Sequence, residues 1–126
     1  MLTVILLWPD KRLSPNARID RRQLVTIKRH ERIGAKVILL ASIQQDINKN
    51  WAYIFEDDST PDIPLELVFN PPDNRRRDRD NLLAMMKAQL DGIADALGID
   101  DSRFEPITLR RGQIVPGGQV IVKIGN

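Results

Sequence analysis

Residues 63–97 read IPLELVFNPPDNRRRDRDNLLAMMKAQLDGIADAL. The hydrophobic period changes halfway along. Apolar and polar residues alternate through IPLELVF, as a half-buried strand requires, and Pro71 and Pro72 end that strand. From Asn81 onward Leu83, Met86, Leu90, Ile93 and Leu97 recur at spacings of three and four, which predicts an amphipathic helix that Gly98 is placed to stop. A strand that hands over to a helix through a turn is the repeating unit of α/β folds. The turn itself, DNRRRDRDN over residues 73–81, sets three consecutive arginines beside aspartates one residue apart.

The flanking sequence extends the alternation. Leu2 to Leu7 is an apolar run of strand length, and WPDKRLSPN after it carries two prolines and turn residues, so it reads as a long loop. From Ala17 to Gln45 there is no proline, and Leu24, Ile27, Val37, Leu40 and Ile43 recur among charged residues, predicting a long helix interrupted near Gly34. Asp58 to Asp62 is a turn-rich break. The tail ITLRRGQIVPGGQVIVKIG reads as two strands joined at Pro116 to Gly118, a hairpin that would close the sheet. The expected fold is a small mixed α/β domain over residues 1–126, of order β-α-β-α-β-β, with a mixed sheet and two main helices.

Composition bounds the chemistry. A chain of 126 residues with 42% hydrophobic content supports one compact core. No stretch approaches the roughly 18 apolar residues of a membrane helix, and MLTVILLW lacks the basic lead and small-residue cleavage site of a leader, so it is expected to be the first strand of a cytoplasmic protein. With no cysteine, and His30 as the sole histidine, disulfides and the usual zinc ligand sets are excluded, and any metal must be held by oxygen. The formal charge is only +2, from 19 basic and 17 acidic residues, but the charge is sorted by position. Basic residues crowd at Lys11 to Arg32, Arg75 to Arg79 and Arg110 to Arg111, and Glu56, Asp57 and Asp58 form an acidic cluster. Local basic patches suit a polyanionic partner.

The second helix adds geometry. At about 100° per residue, Lys87 and Asp91 fall within roughly 20° of the direction of Asp80, on a stripe about 100° from the apolar face. Such a stripe can line a cleft, or Lys87 and Asp91 can form an ordinary i,i+4 surface pair. Asp78 or Asp80 can equally cap the helix, a role worth about 1 kcal/mol. Asp100 and Asp101 follow the helix, and if the loop after Gly98 folds back, Asp78, Asp80 and Asp101 would form an all-oxygen site suited to Mg²⁺. His30, in a basic helix, reads as a surface residue. Trp8, Trp51 and Phe69 can stack on unpaired bases or cover the core, with the core the more ordinary role for the tryptophans. Lys11, Arg12, Arg18, Arg21 and Arg22 can extend a DNA track or form a solvated face.

NRRRDRDN, an amphipathic helix carrying a lysine, then LGIDDSR, resembles the RusA-type Holliday junction resolvases of bacteria and their phages. The upstream LSPNAR resembles the segment after the first strand in the phage branch of that family. The resemblance implies a metal-dependent, structure-selective endonuclease that hydrolyses phosphodiesters in branched DNA such as four-way junctions, using Mg²⁺ or Mn²⁺ and acting as a homodimer. It implies Asp78, Asp80 and Asp101 as metal ligands and catalytic residues, with Asp100 as a neighbouring ligand. Arg75, Arg76, Arg77 and Asn81 would contact DNA. The family lysine follows the second aspartate by one helical turn, where this chain has Ala84. Lys87, one turn further on, is the expected replacement, and Asp91 is an additional ligand or its orienting partner. Two other readings compete: a non-catalytic phage nucleic-acid-binding or regulatory protein whose aspartates only cap the helix, and a small structural or assembly protein whose charged stretch pairs with another protein.

Overall fold

The computed structural model describes residues 1–45 and 62–125. Strand β1 (Leu2–Leu7), helix α1 (Arg21–Gln45), strand β2 (Ile63–Asn70), helix α2 (Arg79–Leu97) and strands β3 (Phe104–Arg111) and β4 (Gln119–Ile124) follow in that order, as the periodicity predicts. Trp51, the acidic cluster Glu56 to Asp58 and all but the last residue of the break at Asp58 to Asp62 lie outside the described residues. Among the described residues no helix is long and apolar enough to cross a membrane.

The four strands form one mixed sheet in the order β1-β4-β2-β3, with β2 and β3 parallel and β4 antiparallel to both β1 and β2. This corrects the expected terminal hairpin. The turn forms, with the Gly118 N–H donating to the Val115 carbonyl at 2.8 Å, but β3 and β4 are separated by β2. Helix α2 carries the chain from β2 to a parallel neighbour, and β4 then crosses to the other side of β2. There both of its edges are hydrogen-bonded, and β1 gains its pairing partner.

Helix α1 begins at Arg21 rather than Ala17, because Asp20 accepts from the Arg22 N–H at 3.0 Å and so caps the first turn. It also runs unbroken past Gly34, although a helical glycine costs roughly 1 kcal/mol relative to alanine. The next turn buries Ala35 and Leu39, and that packing holds the helix through the weak position. The loop after β1 contains a short 3-10 turn, Lys11–Leu13, capped by Asp10 and anchored by buried Leu13.

Both helices contribute to a core on one face of the sheet. Alternate residues of β1, β4 and β2, among them Val4, Val122 and Leu67 in one row, meet Met86, Leu90, Ile93 and Leu97 of α2. Fully burying a side chain such as Met86 or Ile93 contributes about 1.5–3 kcal/mol. The buried face of α2 is wider than its five-residue stripe and also takes in Met85, Ala88, Gln89, Gly92 and Ala94, since α1 packs on it as well. Trp8 covers the edge of this core, with its ring edge-on to buried Phe69 at 6.0 Å.

The two helices meet backbone to backbone at Gly92, where a Cβ would fall 2.1 Å from the Arg32 carbonyl oxygen. Nearby, buried Gln89 donates to the Leu7 carbonyl at 3.2 Å and also bonds Glu31, which accepts the Asp10 N–H at 3.1 Å. Burial raises the Glu31 carboxyl pKa. Gly92→Ala is expected to destabilise the fold by about 1–3 kcal/mol in urea unfolding, since the clash is with backbone that has no freedom to turn away. Gly34→Ala, with open space around its Cβ, is expected to stabilise by about 0.5–1 kcal/mol.

Candidate active site

One face of helix α2 enters the core; another, turned to solvent, carries Asp80, Lys87 and Asp91 as their spacing predicts, with Ala84 among them. This stripe forms the floor of an open cleft of about 1000 Å³. Lys28, Arg29 and Arg32 of α1 stand along one wall, Arg12 and the loop after it close one end, and Asp101, Phe104 and Ile107 form the remaining side. The basic first half of α1 therefore faces an acidic floor across a groove.

The loop after Gly98 does fold back. Gly98 ends α2 in the left-handed conformation (φ 69°), its N–H bonded to the Ala94 and Asp95 carbonyls, and the chain turns at once into a short 3-10 turn, Asp101–Arg103. Asp101 thereby returns to the Lys87 ammonium, which contacts the Asp101 carboxylate and donates to Asp91 at 3.2 Å. Lys87 holds the Asp101 carboxyl below the usual carboxylate range, and Asp101 in turn raises the Lys87 pKa. Arg32 clasps Asp95 of α2 through two bonds of 2.6 and 2.8 Å, and its charge also acts on Asp91 and Asp101.

Asp80, Lys87, Asp91 and Asp101 thus share one cleft, with Lys87 and Asp91 joined as the i,i+4 pair. Asp78 stands apart as the cap of α2, accepting the Asp80 N–H at 3.0 Å, and Asp100 caps the following turn by accepting the Ser102 N–H at 2.9 Å. The basic run divides as well. Arg77 is turned inward, bound to Asp73 at 2.8 Å and stacked over the Trp8 ring at 5.4 Å, a contact worth about 0.5–1 kcal/mol. Arg75 and Arg76 are exposed, and Asn81 sits half-buried in the first turn of α2. His30 is exposed. Sequence reasoning did not single out Lys28, Arg29 and Arg32 as the facing wall. Their one signal, basic residues at helical spacing, does not reveal which element they face.

The carboxylates of the cleft have the oxygen chemistry a hard divalent cation takes. Among the described residues no three acidic or histidine side chains converge closely enough to hold a metal as they stand; the cation between Asp91 and Asp101 is the Lys87 ammonium. The donor type fits a divalent ion, and its binding would require Lys87 to exchange partners.

No protein-family model matches the chain. An uncharacterized protein of Xylella fastidiosa is 35% identical over 127 residues, which cover 98% of this chain and 76% of that protein, and the two belong to one family. The crossover junction endodeoxyribonuclease rusA of Enterobacteria phage HK97 is 41% identical over 61 residues, so the likeness spans 48% of this chain and 48% of the phage protein.

Because the Asp101 pKa is depressed, the Lys87–Asp101 pair contributes stability above the carboxylate's unfolded pKa and loses it as pH falls through the lower folded value. Lys87→Met is expected to return the Asp101 pKa toward the ordinary value of about 3.9, read by carboxyl carbon NMR titration of the metal-free protein. An unchanged titration would mean that the pair does not form in solution.

Proposed function

We propose that this protein is a divalent-metal-dependent endonuclease of the RusA type that cuts branched DNA, four-way junctions among them. The observation that carries the reading is the two-sided cleft along α2, with Asp80, Asp91 and Asp101 on one side and Lys28, Arg29 and Arg32 facing them. The partial likeness to the phage HK97 junction endonuclease supports it. The basic wall, with Arg12, takes the phosphates of a DNA strand and lays that strand against the carboxylates. Asp80, Asp91 and Asp101 would hold Mg²⁺ or Mn²⁺. Such an ion supplies an activated water and takes up negative charge on the phosphate.

Asp78 and Asp100 act through the backbone, since each fixes a turn that carries a cleft carboxylate. Lys87, once released by Asp101, is within the cleft to neutralise charge on a phosphoryl oxygen. Arg75, Arg76 and Asn81 contact the DNA beside the cleft, and Arg77 orders the loop that presents them. The protein works in the cytoplasm as one domain over residues 1–126.

Two cuts in a two-fold junction call for two sites, and the proposed assembly is a homodimer. Helix α1 supports this with an exposed apolar stripe, Ile33, Val37 and Leu40, which points away from its core-facing residues Ile27, Ala35 and Leu39. Val37→Glu is expected to convert a sedimenting dimer into a folded monomer. A wild-type protein that sediments as a monomer removes the dimer from the proposal.

The test is cleavage of a synthetic four-way junction beside a linear duplex of matching sequence, with Mg²⁺ or with EDTA. Paired, metal-dependent cuts near the branch are expected, with a loss on the order of 100-fold or more for Asp80→Asn while DNA binding persists. The capping roles of Asp78 and Asp100 favour a second reading, a DNA-binding protein without catalysis. Junctions that shift on a gel but stay intact under either ion would establish that one.

A further inference from the structure

We infer that a second, smaller pocket on the other flank of α2 captures a single unpaired nucleobase of the DNA. The inference rests on the DNA-binding reading above and adds to it a basis for choosing branched over fully paired DNA. The pocket lies at the C-terminal ends of β2 and β3, beneath the first turn of α2, and encloses about 150 Å³. That is the room of roughly five waters, enough for one planar ring and too little for a stack.

Its chemistry has two parts. Trp8, Phe69, Leu82 and Leu109 make an aromatic and apolar lining, and Arg79 and Arg111 are exposed at the rim. A phosphate alone would gain nothing from the aromatic lining, and a neutral apolar ligand would gain nothing from the guanidinium rim. A base still attached to its phosphate uses both. The lining is also preset. Trp8 is edge-on to Phe69 at an interplanar angle of 80°, and the Arg77 guanidinium, itself held by Asp73, covers it. Little side-chain freedom is left to lose on binding.

Position connects the pocket to the cleft. Arg79 and Leu82 project from α2 roughly 130° around the helix from the stripe of Asp80, Lys87 and Asp91. Pocket and cleft therefore flank the same helical turn, about 10–12 Å apart, on the order of three nucleotide steps at about 3.4 Å. A base enters such a pocket only by leaving its stack, at a cost lowest where pairing is already broken. A branch point supplies that base and an intact duplex does not.

The experiment uses the full chain carrying Trp51→Phe, so that Trp8 is the sole indole, in EDTA. Its emission and the strand anisotropy are followed on titration with oligothymidylate, with an abasic strand of equal length and charge, and with a four-way junction. Oligothymidylate is expected to quench Trp8 and to bind at least about fivefold tighter than the abasic strand. The junction is expected to quench Trp8 too. Leu82→Phe, which fills the pocket, is expected to remove the quenching and the preference while leaving abasic-strand affinity unchanged. Equal binding of both strands with unchanged Trp8 emission, or quenching that survives Leu82→Phe, overturns the pocket and leaves the DNA-binding reading standing. Failure to bind any of the three, the junction included, overturns both.

Discussion

The close approach of α1 to α2 at Gly92 is the contact on which the rest of the molecule depends. A missing Cβ lets the Arg32 carbonyl lie against the α2 backbone, and the Arg32 side chain reaches Asp95 of the same helix with two bonds. Gln89 and Glu31 lock the same helix pair to the end of β1, with their polar groups paired inside a largely apolar layer. The distance between the basic wall and the acidic floor of the cleft follows from these contacts. An exposed ion pair would not set it, since such pairs contribute little and are screened by salt.

Charge within the cleft is partly paired by its own residues. Lys87 lies between Asp91 and Asp101, and Arg32, bound to Asp95, also acts on both from the facing helix, so part of the acidic charge is compensated within the protein. A phosphodiester chain entering along Lys28 and Arg29 would compete for those cations, and a divalent ion would compete for the carboxylates. The cleft thus brings both signs of charge together rather than accumulating one.

The first turn of α2 stands between two cavities, an open cleft whose charged residues sit among apolar ones on one flank and a small aromatic pocket on the other. Three consecutive arginines entering this turn are accommodated by separating their directions. Arg77 turns inward over Trp8, while Arg75 and Arg76 face solvent. The loop is thereby ordered by part of the charge that it presents.

Local spacing determined much of this protein from its sequence alone: the alternation of β2, the apolar repeat of α2, its stop at Gly98, and the shared stripe of Asp80, Lys87 and Asp91. These are contacts or directions within a few residues, set by the backbone periods themselves. The same reasoning placed the Pro116 to Gly118 turn but misassigned its strands as partners, because turn chemistry says nothing of which sheet edge is vacant. Only the tertiary structure decided that β4 lies between β1 and β2, that Asp101 returns to Lys87, that Lys28, Arg29 and Arg32 face the acidic stripe, and that Arg77 turns inward to Trp8. Each of these depends on how buried layers pack, and packing joins residues whose separation along the chain carries no periodic signal.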